Sequence, residues 1–354
     1  MILKPFQRDA LGALRSRNID LACVAPTGAG KGVILEEIAR DPRERVLLVS
    51  PLIALGRQQA ERFRAKGISA ECFMGAVSSA PCARSRVWIL SPEALRHPRW
   101  TAKLRAWRPT LVAVDECHCV YEWGAAFRPD YGRLPEWVRD LDVNRTLWMS
   151  ATLPRPALSA IERGLGRKLA VQGRFSLPER LDLKIERVPL PSRVDRLLGF
   201  LDAHDDAGIL FAGTRSGTER LDRLIAASRR ESWVYHAGLS SEERRIVEAR
   251  VAGLDRGVVI ATSAFGMGMD YASLGWVLLW QPPGTLLSLA QALGRVGRGG
   301  RPGHARLFWE EEDFRILGFL ASRSPNAEER LRELREYLEL PTGEHRAALA
   351  RYFV

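Results

Sequence analysis

Two stretches of this chain hold residue types from which phosphate chemistry can be built: Ala25-Pro26-Thr27-Gly28-Ala29-Gly30-Lys31-Gly32, and Gln291-Ala292-Leu293-Gly294-Arg295-Val296-Gly297-Arg298. A glycine-rich turn between a strand and a helix lets backbone N–H groups wrap a polyphosphate, while its lysine meets the outer phosphates as a point charge. Pro26, Thr27, Gly28, Ala29, Gly30, Lys31 and Gly32 are therefore candidate nucleotide-binding residues, and Lys31 a catalytic cation. Arg295 and Arg298 have the spacing of one helical turn. Approaching the γ-phosphate from a second domain, they could stabilise the charge of transfer, an arginine-finger role worth roughly 10³ to 10⁵ in rate.

A second kind of chemistry follows the apolar run 111–114, in Asp115-Glu116-Cys117-His118. Beside a nucleotide, the first carboxylate holds Mg²⁺ directly or through water and the second polarises the attacking water. Two adjacent acids at a strand end more often only cap the next helix, but the phosphate loop upstream reverses that balance. His118 beside them is a candidate for coupling the two domains. Trp123, Phe127 and Arg128 come next, and aromatic faces and guanidinium stack on splayed bases at roughly 1 to 3 kcal/mol each. Gly124, Pro129 and Asp130 make this loop an awkward place for core packing.

These residues need a scaffold. Short apolar runs at 21–25, 46–50, 87–90, 111–114 and 146–149 alternate with helix-like segments, which reads as a buried parallel sheet covered by helices. The functional strings stand at the ends of those runs, where open parallel sheets place their ligand crevices. A second alternation runs through 208–211, 233–236, 257–261, 276–280 and 305–309. The expected fold is α/β, two similar units in tandem. Between them, 173–193 carries Pro178, Pro189 and Pro191 and loses the strand-helix rhythm, so the hinge is expected near residue 176. This divides the chain into 1–175, 176–310 and a helical tail 311–354, where Leu331, Leu334, Leu338 and Leu340 suit an amphipathic helix before a turn at Pro341-Thr342-Gly343.

Composition narrows the partner. A length of 354 residues with 46% hydrophobic content is enough for two cores, and a formal charge of +11 fits a polyanion. Only six of the 53 basic residues are lysine, an arginine bias that base composition explains as readily as phosphate recognition. The five cysteines, all in the first half, form no Cys-x-x-Cys pair, so no ordinary zinc spacing exists and reduced structural thiols are expected. No signal-peptide core and no long apolar stretch occurs, which predicts a soluble, cytoplasmic protein without a membrane partner.

The string from Asp115 to Tyr131, Asp-Glu-Cys-His-Cys-Val-Tyr-Glu-Trp-Gly-Ala-Ala-Phe-Arg-Pro-Asp-Tyr, resembles the helicase box and adjoining aromatic-rich loop of RecQ-type superfamily 2 DNA helicases. The resemblance extends through Ser50-Pro51-Leu52-Ile53-Ala54-Leu55, Ser91-Pro92-Glu93, Ser150-Ala151-Thr152, Tyr235-His236-Ala237-Gly238-Leu239, Ala264-Phe265-Gly266-Met267-Gly268-Met269-Asp270 and the late arginine string, covering roughly residues 3 to 310. It implies two RecA-like domains that close on ATP and move 3′ to 5′ along single-stranded DNA. It makes Lys31 the phosphate lysine, Asp115 the Mg²⁺ carboxylate, Glu116 the water-activating residue and Gln291, Arg295 and Arg298 the trans-domain sensors. It also implies that Gln7 reads the adenine edge and adds Gly268 and Asp270 to the nucleotide site; without it, Gln7 reads as an exposed helix-start residue. Backbone contacts to DNA are expected from Ser50, Pro51, Ser91, Thr214, Arg215, His236 and Thr262 beside Trp123, Phe127 and Arg128, with Ser150 and Thr152 relaying between the nucleotide and nucleic-acid faces.

The chain departs from that pattern at Gly32, where Ser or Thr normally offers a hydroxyl to Mg²⁺. Water can replace it, at a cost on the order of 1 to 3 kcal/mol, so slower or weaker turnover is expected. Gln7 lies so near the start that no upstream adenine-stacking aromatic is expected. His345 stands where the family's zinc module would place a cysteine, and no later cysteine follows, so ATP and Mg²⁺ are the expected cofactors, without zinc. The winged-helix and C-terminal accessory domains are expected to be missing as well. The expected partner is single-stranded or 3′-tailed duplex DNA, with an accessory protein as a possible source of strand separation. Two other readings stay open: an RNA-dependent ATPase, and a weakly hydrolysing, nucleotide-gated DNA-binding subunit.

Overall fold

The computed structural model describes residues 2–15, 18–74, 84–122, 128–263, 265, 274–321 and 326–354. The chain divides into two compact units, residues 1–176 with 350–354, and residues 177–349. The first is built on seven strands, β1 (Ile19–Val24), β2 (Val46–Val49), β3 (Ala70–Phe73), β4 (Val87–Leu90), β5 (Leu111–Val114), β6 (Arg145–Ser150) and β7 (Ala170–Gly173), in the order β3-β4-β2-β5-β6-β1-β7. Every pairing is parallel. Strands β2, β4 and β5 are buried along their whole length, as unbroken Val/Leu/Ile runs demand when helices cover both faces of a sheet. Three helices matter for the site: α1 (Pro5–Arg15), α2 (Gly32–Ala39) and α3 (Ile53–Ala65). Leu14, Ile34, Leu35, Ala60 and Phe63 seal them onto the sheet in one core with Leu21, Leu48 and Leu147.

The second unit carries β8 (Leu181–Arg187), β9 (Gly208–Phe211), β10 (Ser232–Tyr235), β11 (Val258–Ala261), β12 (Trp276–Leu279) and β13 (Gly303–Trp309), ordered β10-β11-β9-β12-β13-β8 and again wholly parallel. The α/β reading with two parallel sheets therefore holds. The sequence reading missed three strands, β3, β7 and β8. Strand β8 lies inside the stretch expected to lose the strand rhythm, yet it pairs along its length with β13. As an edge strand it is mostly half-buried or exposed, so Asp182, Lys184 and Glu186 alternate with Leu181, Leu183 and Ile185. That alternation is the period-2 signal of a partly solvated strand, which a search for unbroken apolar runs passes over.

Beyond β13 the chain is helical over Glu311–Ala321, Ala327–Leu338 and His345–Tyr352. Leu334, Tyr337 and Leu338 bury one face of the middle helix, and Arg193, with no exposed surface, grips Asp313 through two hydrogen bonds at 3.1 and 2.6 Å. The last residues belong to the first unit. Phe353 is fully buried 4.5 Å from Phe175, Phe175 N donates to Val354 O at 2.7 Å, and Val354 N donates to Leu153 O at 2.9 Å. No described helix is long and apolar enough to cross a membrane.

Candidate functional site

At the carboxyl edge of the first sheet, β1, β5 and β6 are consecutive neighbours with β6 in the middle, so the loops that leave them are held side by side. Ala25 N donates to Ser150 O at 3.2 Å, Cys117 N to Met149 O at 2.9 Å and Asp115 N to Val49 O at 2.9 Å, tying each loop to the next strand. Sheet order thus gathers residues that lie more than a hundred positions apart in sequence.

The loop after β1 turns through Gly28 (φ 75°) and Gly30 (φ 92°), backbone that side chains rarely adopt, before entering α2. Lys31 folds back over the loop, its Nζ donating to Ala25 O at 2.7 Å and Pro26 O at 3.4 Å. Gln7 is not an exposed helix-start residue. Only 4% exposed, it accepts from Lys4 N at 2.8 Å, as a third-position Gln closing the start of α1 does, and donates through Nε2 to Gly30 O at 2.9 Å. Its amide braces the phosphate loop, and a Cβ at Gly30 would stand 2.8 Å from that nitrogen.

The loop after β5 places Asp115 against this cradle. Its Oδ2 accepts from Gln59 Nε2 on α3 at 2.7 Å and its Oδ1 from Glu116 N at 3.0 Å. Burial, reinforced by the Glu116 charge and opposed by Lys31, raises the Asp115 carboxyl to about 6. A half-buried acid pair beside a phosphate loop suits a divalent cation, whose charge would relieve that crowding, and Mg²⁺ keeps several waters and so needs few protein ligands. Of the two, Asp115 is the residue that could hold it. Glu116 sits at φ 48°, a left-handed conformation costing about 1 to 2 kcal/mol for a residue with a side chain. Its carboxylate is 3.4 Å from His118 Nδ1, and that nitrogen is 3.0 Å from Ser150 Oγ, which accepts from Thr152 N at 3.0 Å. Glu116, His118, Ser150 and Thr152 thus form one polar chain crossing from β5 to β6. Burial lowers His118 to about 4, so the imidazole is neutral at physiological pH.

Arg128 is held inside the first unit. Its Nε donates to Glu93 Oε1 at 2.7 Å, its Nη1 to Pro51 O at 2.8 Å, and its guanidinium lies 4.7 Å from the Tyr131 ring centre. It therefore cross-links the loops after β2 and β4, where Pro51 and Ser91 lie. Ser50, just after β2, has no exposed surface, and its hydroxyl has no hydrogen-bond partner among the described residues. Trp123, Phe127, Gly268 and Asp270 lie outside the described residues.

In the second unit, β10, β11 and β9 are neighbours and bring His236, Thr262 and Thr214-Arg215 to one sheet edge. Thr214 caps the helix Arg215–Ala227 by accepting from Gly217 N at 3.0 Å. His236 is 8% exposed, and its Nδ1 has no hydrogen-bond partner among the described residues. Gln291 lies on the helix Leu286–Leu293, but that helix ends before the arginines. Arg295 and Arg298 are carried by a turn through Gly297 (φ 70°), not by one helical face, and Arg298 Nε donates to Gly294 O at 2.9 Å.

The sequence reading missed Gln59, the partner of Asp115, and a cluster on the Gly32 side of the loop. There Glu36 of α2, 2% exposed, lies 2.5 Å from Arg62 Nε and is also paired with Lys66, both at the C-terminal end of α3 or just beyond it. A Glu set among Val33, Ile34, Leu35 and Ile38, four positions after Gly32, is the signal that was available.

Comparison with known proteins agrees with this geometry. Residues 4–160 match the DEAD/DEAH box helicase family and residues 191–300 the helicase conserved C-terminal domain. The chain is 28% identical over 327 residues to the probable ATP-dependent DNA helicase RecS of Bacillus subtilis, covering 88% of this chain and 65% of that protein. It is 26% identical over 353 residues to the ATP-dependent DNA helicase RecQ of the same organism, covering 94% and 58%. The chain therefore spans roughly three-fifths of the length of these relatives. Among solved structures, the Mycobacterium smegmatis helicase Lhr bound to ssDNA and AMP-PNP shares the fold with a TM-score of 0.64 at 22% identity, over 99% of this chain and 53% of that one. With both helicase segments present in order and relatives aligned through nearly the whole sequence, this protein belongs to the RecQ-type superfamily 2 helicases and carries their two-part core.

Proposed function

We propose that the chain is an ATP-dependent DNA helicase or translocase that hydrolyses ATP as it moves 3′ to 5′ along single-stranded DNA in the cytoplasm. The observation that carries this reading is the convergence of Lys31, Asp115, Glu116 and the His118–Ser150–Thr152 chain at one sheet edge. Lys31 binds the outer phosphates. Asp115 holds Mg²⁺, which when bound neutralises phosphate charge. Glu116 orients and polarises the attacking water, and Arg295 and Arg298, with Gln291, stabilise charge on the γ-phosphate. His118, neutral and linked to both Glu116 and Ser150, carries the state of the nucleic-acid loops to the water-activating acid. The relatives' names support ATP and DNA as the substrates.

DNA contact in this reading is to the backbone, through Ser50, Pro51, Ser91, Thr214, Arg215, His236 and Thr262, with Trp123, Phe127 and Arg128 stacking or coupling. Ser50 reaches a strand only if the end of β2 opens, since its hydroxyl is enclosed. The test is ATPase and unwinding on 3′-tailed, 5′-tailed and blunt duplexes, with matched RNA strands alongside. The reading expects DNA-stimulated hydrolysis and unwinding of the 3′-tailed duplex. Hydrolysis without unwinding leaves a translocase that needs an accessory protein, and equal stimulation by RNA removes the DNA assignment.

A second reading is favoured by Gly32, which offers no hydroxyl to a cation. It makes the chain a weakly hydrolysing, nucleotide-gated DNA-binding subunit. No nucleic-acid stimulation above the rate of a Glu116→Gln variant would select it.

A further inference from the structure

The side of the phosphate loop that lacks a hydroxyl faces a guanidinium. A Cβ built on Gly32 would lie 3.7 Å from Arg62 Nη1, ordinary contact distance, so space does not exclude a serine there. Arg62 is half-exposed and anchored through Nε, 2.5 Å from Glu36 Oε1, in a close ion contact without hydrogen-bond alignment. Glu36 is one helical turn beyond Gly32, and Lys66 holds its other oxygen. The buried acid therefore has a second cation, and the cluster carries one more positive charge than negative.

Helix α3 presents this arginine in line with the site. Gln59, three positions earlier, reaches Asp115 Oδ2 at 2.7 Å, so the same helix face touches the metal carboxylate through Gln59 and the Gly32 side of the loop through Arg62. A guanidinium held by one nitrogen among the described residues keeps other N–H groups for a phosphate, and its planar fork matches phosphate oxygens better than an ammonium does.

We propose that Arg62 is a further nucleotide-binding residue that contacts the phosphate chain on the Gly32 side of the loop. It supplies from α3 part of the positive charge that a hydroxyl-bound cation otherwise brings. Polyphosphate binding at this loop then depends less on a divalent cation than in loops that end in Lys-Ser or Lys-Thr. The inference rests on the loop at 25–32 being the nucleotide cradle.

The experiment titrates a fluorescent ADP derivative onto the full chain, once in excess Mg²⁺ and once in EDTA. Arg62→Gln is expected to weaken ADP in EDTA by roughly 10- to 100-fold, the worth of a charge-assisted hydrogen bond, and by less in Mg²⁺. Arg62→Lys should recover part of the loss, and Gly32→Ser should enlarge the difference between Mg²⁺ and EDTA. Thermal melting of each variant is followed in parallel, because Lys66 keeps Glu36 paired when Arg62 is replaced. An EDTA affinity of Arg62→Gln within about twofold of the parent overturns the proposal, as does a loss that lysine leaves wholly unrestored or that merely follows unfolding. Lys31→Ala separates the two levels. If it loses ADP while Arg62→Gln keeps it, only the Arg62 assignment falls; if it also keeps ADP, the cradle reading falls with it.

Discussion

The carboxyl edges of the two sheets are built on the same plan and finished differently. On the first, the candidate side chains bind one another: Gln7 to Gly30, Gln59 to Asp115, Glu116 to His118 to Ser150. On the second, Thr214 and Arg215 are exposed and Thr262 is half-buried. The first edge has the order that chemistry needs, since a catalytic group must be fixed before the reaction. The second leaves Thr214 and Arg215 open to solvent, the state a backbone ligand would need.

The comparison breaks most visibly at Glu116. If the first edge does chemistry, Glu116→Gln should lower kcat by roughly 10²- to 10⁴-fold, the range of general acid-base assistance, while leaving DNA affinity near the parent value. Steady-state ATPase and fluorescence anisotropy on one oligonucleotide check both halves. A variant that loses DNA binding in step with kcat would show that the two edges do not divide the labour.

The buried imidazole gives the next largest effect. His118 titrates near 4 when folded and near 6.5 in its unperturbed state, so between those values the unfolded chain binds more protons and stability falls as pH falls. The stabilisation is complete above about 6.5 and lost toward about 4, a difference on the order of 3 kcal/mol. Asp115, raised to about 6, works in the opposite direction. Subtracting the melting behaviour of His118→Asn at each pH removes that contribution, because both proteins carry Asp115. The parent should lose ground to His118→Asn steadily below about pH 6.5, and a constant difference would mean that His118 is not held neutral.

Much of this was legible in the sequence, and the reason differs from residue to residue. Strands β2, β4 and β5 announce themselves because a parallel sheet covered on both faces needs unbroken apolar runs. Lys31, Asp115 and Glu116 could be picked out together because a glycine-rich loop upstream changes how an acid pair at a strand end reads, and the fold brings all three to one sheet edge. Gln59 and Arg62 were not, since their meaning depends on how α3 lies over α2, a tertiary fact with no local period. Arg128 shows the reverse case. Its type suggested stacking on bases, whereas the fold engages it with Glu93 and the carbonyl of Pro51. The helical spacing of Arg295 and Arg298 misled for a local reason, as the helix ends at Leu293 with Gly294 as its cap and Gly297 turns the chain between the two arginines.

On the second edge, Arg215→Ala should weaken single-stranded DNA binding several-fold and reduce the log-log salt slope by about 0.7, because one fewer phosphate is neutralised. Anisotropy titrations over a series of salt concentrations read both. An unchanged slope would take Arg215 out of the interface.

The smallest effect tests whether one hydroxyl serves both structure and binding. Thr214 Oγ1 accepts from Gly217 N, and its own proton can still donate to a phosphate oxygen. Thr214→Ala removes both roles. It should cost about 1 kcal/mol as a lost helix cap, a shift of roughly 2 to 4 °C for a unit of this size, together with a modest loss of DNA affinity. Thr214→Ser restores the oxygen and should restore both. If serine recovers the melting temperature while DNA affinity never changed in either variant, Thr214 is a cap alone, and the second edge binds its strand through Arg215 and the neighbouring loops.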